Sequence, residues 1–414
     1  MANKTTAPAR RSLQTTAEIG SIIKAHYAQV QEDKASGRPV IWVFVLLPGE
    51  LWTALDVPVL TLEHVAVMLA AKQVIGRYLD QAEHSGFSRD LCPYHMARLG
   101  AIQMETIDPD HARYFVPPDL IVATNTPCMA ESKSFLHAAE KYGVPYYFLD
   151  APLNMGGLNP PERSVQYYAN GMVGLLSFLE QHGLKMDMAR LSETVRRSSE
   201  MAHIWAEVEQ LRKRRPVPMG AVDAVSWWYL LAFKPGLETG PDLVRRMKAE
   251  VQDRADRKVG VIQDEKYRLL YLGVPPFYNL GLLNYLEKYG AVFVKAEAEF
   301  LMTGQTDLDV LDPERPLESL ARKAIIDIVN PMFANRLDIA RRIVKDFQID
   351  GIVAAHKRGC RNLPAGFRLI KDMALNDLGV PMTIFDLDGL DLREYNDAQV
   401  KANLDSFIET LSAR

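Results

Sequence analysis

Cys92, Cys128 and Cys360 are the only thiols in a chain of 414 residues. Two of them follow runs that read as buried strands: Leu120 to Thr124 leads to Cys128, and Gly351 to Ala355 leads to Cys360. In open parallel sheets ligands collect at the carboxyl ends of strands, because the loops there converge on one crevice. Cys92 lies in the polar turn Ser88-Arg89-Asp90-Leu91-Cys92-Pro93, and Pro directly after a ligating Cys recurs in iron-sulfur segments. As thiolates the three suit zinc or an iron-sulfur cluster. As unrelated core thiols they would be small hydrophobes, although none sits inside an apolar run. Spacing alone leaves both readings open. The C-x2-C pairs typical of structural zinc are absent, and the histidines nearest the thiols along the chain are His95 and His356. Three ligands for a four-iron cube leave one iron open to substrate or water, the arrangement that marks a catalytic metal site.

The elements that must hold these thiols follow an α/β pattern. Short β-branched or aromatic runs bounded by turn residues alternate with helical stretches, which predicts parallel, Rossmann-like sheets with crossover helices. The expected strands are Val40 to Leu46, Leu120 to Thr124, Tyr146 to Asp150, Tyr267 to Leu272, Ala291 to Lys295, Gly351 to Ala355 and Met382 to Asp386. They fall into two groups separated by a helical connector. The division expected is a disordered tail over 1–16, a first α/β domain over 17–159 with Cys92 and Cys128, a connector over 160–260, and a second α/β domain over 261–414 with Cys360. Within the connector Met201, Ile204, Val208 and Leu211 repeat at helical spacing, and the run Arg212-Lys213-Arg214-Arg215 before Pro216 reads as a solvated helix end. The two halves also resemble each other. Each runs strand, cysteine loop, helix, Gly-Val-Pro turn (143–145 and 379–381) and a strand ending in Asp150 or Asp386.

Composition excludes whole classes of function. Hydrophobic residues at 48% and charged residues at 24% describe a globular chain rather than a disordered or fibrous one. A formal net charge of -4 offers no field for nucleic acid or an anionic membrane. No apolar run reaches the roughly 20 residues of a membrane helix. The N-terminus lacks a secretory apolar segment, so a reducing, cytoplasmic setting is expected, where widely spaced cysteines do not imply disulfides. Gly-rich phosphate loops are absent, so any ATP must be hydrolysed elsewhere. Asp386, Asp388 and Asp391 read as a solvated loop at a strand end rather than a hard-cation site.

Several segments, in combination and order, resemble the subunits of the 2-hydroxyacyl-CoA dehydratase and benzoyl-CoA reductase family. They are Trp42 to Leu51, Gly86 to Gly100 with Asp90-Leu-Cys92, Asn125 to Cys128, Glu265-Lys-Tyr-Arg268, Gly273-Val-Pro275, Arg358-Gly-Cys360 and Phe385-Asp-Leu-Asp388. The resemblance runs from about Gly37 to the C-terminus. It implies two α/β halves holding a 4Fe-4S cluster through three cysteines, which match Cys92, Cys128 and Cys360. It also implies a homologous second subunit in a heterodimer, and a separate ATP-hydrolysing iron-sulfur activator that delivers one electron at very low potential. The substrate implied is an acyl-CoA: a 2-hydroxyacyl-CoA undergoing dehydration or, alternatively, benzoyl-CoA undergoing ring reduction. A third possibility is a non-catalytic subunit that only relays electrons. Glu50, in the Pro-x-Glu-Leu segment, is the candidate for the proton role; as a carboxylate at a helix start it would also be favourable without any catalytic part. Val43 stands where dehydratase relatives have a hydroxyl residue. Phe277 stands where they tend to have Trp, which should reshape the acyl pocket.

Overall fold

In the computed structural model, which describes residues 12–414 apart from 105–106, 110, 127, 158, 298, 300–308 and 327–332, all seven expected strands form. They are β1 (Ile41–Val43), β3 (Leu120–Thr124), β4 (Tyr146–Leu149), β5 (Tyr267–Leu272), β6 (Ala291–Ala296), β7 (Gly351–His356) and β8 (Met382–Asp386), with β2 (Val59–Thr61) in addition. The sequence reading missed β2, which has only three residues and follows Pro58 directly, too short to show as a run. β1 is shorter than expected because the chain turns at once, Leu47 N–H donating to the Phe44 carbonyl at 3.2 Å ahead of Pro48.

The strands form two sheets with the same winding, β2-β1-β3-β4 and β6-β5-β7-β8, and every pairing is parallel. β3 and β7 occupy equivalent inner positions and are buried along nearly their whole length, which explains their continuous apolar runs. β4 and β8 are edge strands and half-exposed. Gly143 and Gly379, the glycines of the paired turns, both end a helix in the left-handed conformation at φ 65° and 68°. The internal likeness of the halves therefore extends from sequence to topology.

The helices needed below are α1 (Thr16–Ala35), α2 (Gly49–Leu55), α3 (Leu62–Ala71), α4 (Ile75–His84), α5 (Pro93–Gln103), α6 (Met129–Tyr142), α7 (Glu162–Gln181), α8 (Met188–Arg212), α9 (Ala221–Trp228) and α10 (Gly240–Asp256). α9 continues into a π-helix, Tyr229–Phe233. The stripe Met201, Ile204, Val208 and Leu211 lies buried on α8, packed with Trp205, Trp227 and Met247. Side-chain packing cuts across chain order. Val310, Leu311, Leu320 and Ile325, from the far half of the sequence, join the core of the first sheet, where the helix Pro316–Ile326 lies against α7.

Three expectations need correction. Residues 1–11 of the basic tail lie outside the described residues, but Leu13 is buried and Thr15 binds Glu250 through both N–H and hydroxyl, so 12–16 is tied down. Arg212 is not solvated: it is wholly buried, paired with Glu209 and Glu299, and donates to the Val294 carbonyl at 2.7 Å. Lys295 completes this buried four-charge network. The basic run hid the difference because its next members, Lys213 and Arg214, do pair with Asp346 and Asp256 at the surface. Asp391 is buried as well and clamps Arg393, whereas Asp386 is exposed. Arg268, from one of the resembling segments, is fully buried and binds Glu265 and the carbonyls of Arg212, Arg214 and Phe347, stapling α8 to the second sheet.

Candidate active site

Cys92 is the residue before α5, and Pro93 opens that helix with the φ its first turn requires. Cys128 is the residue before α6, following β3, and Cys360 lies in the loop after β7. Two of the sulfurs thus sit at helix N-termini, where the helix dipoles favour negative charge. The loops from opposite halves meet directly. A Cβ on Gly359 would fall 2.9 Å from Cys92 Cα, a distance only glycine permits.

All three cysteines line one cavity of about 1160 Å³ between the two sheets. Its apolar wall includes Phe44 and Met68 from the first half, Val274 and Phe277 from the second, and Tyr229 and Phe233 from the π-helix. The chamber is large enough for a cofactor-sized ligand and mostly apolar, as ligand sites are. Cys92 and Phe277 both stand on the wall of this cavity.

Glu50 is elsewhere. It is fully buried in the first turn of α2, accepts from the Ser198 hydroxyl at 2.6 Å and pairs with Lys323 at 2.6 Å. It is not among the cavity's lining residues. Burial pushes its carboxyl up, but Lys323 and Ser198 together hold it below the ordinary value.

Two buried carboxylates on the chamber wall were missed. Glu63 and Glu131 line it, together with His95. Arg98, with 1% exposure, pairs with Glu131, reaches Glu63 at 3.3 Å and the Ser134 hydroxyl at 2.7 Å, and stacks 3.8 Å above the Phe135 ring. Burial, then the neighbouring Glu131 charge, raise Glu63 well above the usual carboxylate range. Glu63 also accepts the Val45 N–H at 3.0 Å, which fixes its orientation. Glu131 moves the opposite way: burial is outweighed by Arg98 and His95, and it stays ionised. His95 Nδ1 pairs with Glu131 and its Nε2 lies 3.6 Å from Cys128 Sγ. Burial alone would lower the His95 pKa, but Glu131 and Cys128 raise it well above the usual value. Burial likewise would raise Cys128, yet the His95 hydrogen bond pulls its thiol down. Cys360 is pushed up by burial and by Cys92. The sequence signal was available in part: His95 and Glu131 each stand three residues beyond a cysteine, in the first turn of its helix.

Lys357 bears on what the cysteines hold. It is 1% exposed, its ammonium has no hydrogen-bond partner among the described residues, and it sits 4.3 Å from the Tyr94 ring. Cys92, Cys360 and Asp388 are the negative groups acting on it. An orphaned buried ammonium calls for anionic charge close by, which a thiolate-ligated iron-sulfur cluster supplies. Among the described residues no three His, Cys, Asp or Glu side chains are close enough to grip a single ion. His356 does not approach the thiols' cavity but binds Asp386 at 2.8 Å on the exterior.

The profile of the family 2-hydroxyglutaryl-CoA dehydratase, D-component, matches residues 44–411. A benzoyl-CoA reductase subunit from Thauera aromatica is 25% identical over 412 residues, covering 95% of this chain and 93% of that one. The (R)-2-hydroxyisocaproyl-CoA dehydratase alpha subunit of Clostridioides difficile is 23% identical over 405 residues, covering 96% of each. The (R)-phenyllactyl-CoA dehydratase alpha subunit of Clostridium sporogenes is 25% identical over 388 residues, covering 92% of each. With a chamber that gathers all three cysteines and a match spanning nearly the whole sequence, the chain belongs to the 2-hydroxyglutaryl-CoA dehydratase, D-component, family.

Proposed function

We propose that this chain is the cluster-bearing subunit of an oxygen-sensitive enzyme acting on an acyl-CoA thioester, foremost a 2-hydroxyacyl-CoA dehydratase. The observation that carries it is the convergence of Cys92, Cys128 and Cys360, from three loops of two sheets, on one large apolar chamber. The three thiolates would hold a 4Fe-4S cluster, with one iron free of protein ligands. When bound, that cluster supplies one low-potential electron to the thioester, whose carbonyl stabilises the added charge.

The chain's own residues do the rest. Imidazolium His95 donates from Nε2 to Cys128 Sγ, and Glu131 fixes that ring's orientation. Lys357 offsets the negative charge of the thiolates. Glu63, on the chamber wall and held by the Val45 N–H, is the group placed to exchange a proton with the substrate. The apolar wall excludes water from a reduced centre. Glu50 we assign to architecture, because it lies off the chamber wall and one carboxylate oxygen, Oε1, holds both Lys323 and Ser198. The relatives carry subunit designations, which supports a homologous second subunit. A separate ATP-hydrolysing activator and a cytoplasmic setting complete the reading.

Iron and sulfide determination on anaerobically purified protein tests it. The expected result is one cluster's complement of four irons per chain, lost in Cys128→Ala. Protein without iron, or a Cys128→Ala variant retaining the full complement, would contradict it. Turnover with 2-hydroxyacyl-CoA against benzoyl-CoA, given activator, ATP and reductant, separates dehydration from ring reduction.

A further inference from the structure

Lys357 is the first residue beyond β7, and the turn it opens closes at Cys360, whose N–H donates to the Lys357 carbonyl at 3.1 Å. The same turn presses on the other half of the molecule. Gly359 lies against the Cys92 backbone, and Tyr94, two residues past Cys92, sets its ring 4.3 Å from the Lys357 ammonium. The preceding residue, His356, is bound to Asp386 on the exterior, whereas Lys357 is 1% exposed. Two cysteine-bearing segments therefore enclose one cation.

The other charges near the thiols are matched by carboxylates. His95 pairs with Glu131, and Arg98 with Glu131 and Glu63. Lys357 has no such match: among the described residues its ammonium makes neither a hydrogen bond nor an ion pair. Asp388 acts on it from further off, and the Oδ1 of that acid accepts the N–H groups of Leu390 and Asp391 at 2.8 and 3.0 Å. Burial would lower the pKa of Lys357, yet the negative groups around it, Asp388 first, raise it above the ordinary value. The Tyr94 ring replaces part of the lost hydration but carries no charge. A cation fixed in a dry place, little screened by salt, favours whichever state of its surroundings is the more negative.

We propose that Lys357 sets the reduction potential of the cluster held by Cys92, Cys128 and Cys360, its fixed positive charge favouring the reduced state. The inference rests on the cluster reading and deepens it. Net charge is among the factors that set such potentials, and reduction makes the thiolate-bound cluster more negative by one charge. The electron comes from a one-electron donor of very low potential; no bond changes and no proton moves. Lys357 is not among the residues lining the chamber, so it is a positioning residue that acts on the substrate only through the cluster.

The test is an anaerobic redox titration of the cluster-loaded complex with its partner subunit, following the paramagnetic resonance signal that Cys128→Ala abolishes. Lys357→Met is expected to lower the midpoint by at least about 59 mV, a tenfold loss in the one-electron reduction equilibrium. Lys357→Gln, a second neutral variant, should do the same, and Lys357→Arg, which keeps the charge, should restore most of the loss. Iron content is determined on each variant. A midpoint unchanged in the neutral variants, or lowered equally in Lys357→Arg, overturns the inference and leaves the cluster reading intact. Neutral variants that fold but take up no iron would make Lys357 a condition of cluster assembly instead, and overturn it as well. A wild-type complex without a cluster signal overturns the cluster reading and the inference together.

Discussion

Glu63 and Glu50 are both buried carboxyls in the first half of the chain, and their surroundings push their pKa values in opposite directions. Burial and then the like charge of Glu131 push Glu63 up, whereas for Glu50 burial is outweighed by Lys323 and Ser198, which hold it down. Only the first touches the chamber. The paired exchange to glutamine separates the roles. Glu63→Gln is expected to keep its iron and lose turnover by roughly 10²-fold or more, the usual scale for removing a general acid or base. Glu50→Gln is expected to keep turnover and lower the melting temperature, since Lys323 is left beside a neutral amide. Steady-state kinetics and thermal denaturation of the two variants read both outcomes. Arg98 belongs to the same scale. It is the counter-charge that lets Glu63 and Glu131 coexist, and Arg98→Met should cost about 3–5 kcal/mol, the range for breaking a buried ion pair, measured by denaturant titration.

At the scale of elements, the placement of Cys128 and Cys360 was legible because strand ends are. β3 and β7 are continuous apolar runs ending in a Cys-bearing loop, and the Gly-Val-Pro turns that follow them are the same device in both halves, with glycine in a left-handed conformation. β2 was not legible: three residues after a proline carry too little pattern, although the strand is fixed by its pairing with β1. Nor was Arg212, because a basic run at a helix end looks the same whether or not a buried carboxylate such as Glu299, 87 positions further on, waits across the core. The expectation for Glu50 misjudged direction: β1 ends at Val43, and the turn and helix start that follow carry the carboxylate toward α8 instead of the crevice. Glu131 and Arg98 went unrecognised, and His95 was noted only for its nearness to Cys92, because charged side chains on helices read as surface until the facing helix is known. A consequence belongs to the loops themselves. Since Gly359 presses on the backbone of Cys92, Gly359→Ala should push the two halves' cysteine loops apart and lower the iron content of a protein that still folds, as iron assay and circular dichroism would show.

For the whole molecule, the organising fact is that two sheets of identical winding place their strand ends around one space. Neither half owns the site: Cys92 and Cys128 come from one, Cys360 from the other, and the π-helix of the connector closes the wall. The packing of Val310 to Ile326 into the first core ties the halves together across chain order, which suits a chamber that must exclude water. The central claim is that the three thiolates hold a cluster with one open iron, and that an acyl-CoA occupies the chamber beside it. The most direct measurement is the electron paramagnetic resonance spectrum of the anaerobic, reduced protein with and without a saturating CoA thioester. The account predicts a 4Fe-4S signal that shifts on adding the thioester and is absent in Cys128→Ala. A signal indifferent to every thioester, or no cluster signal at all, would contradict it.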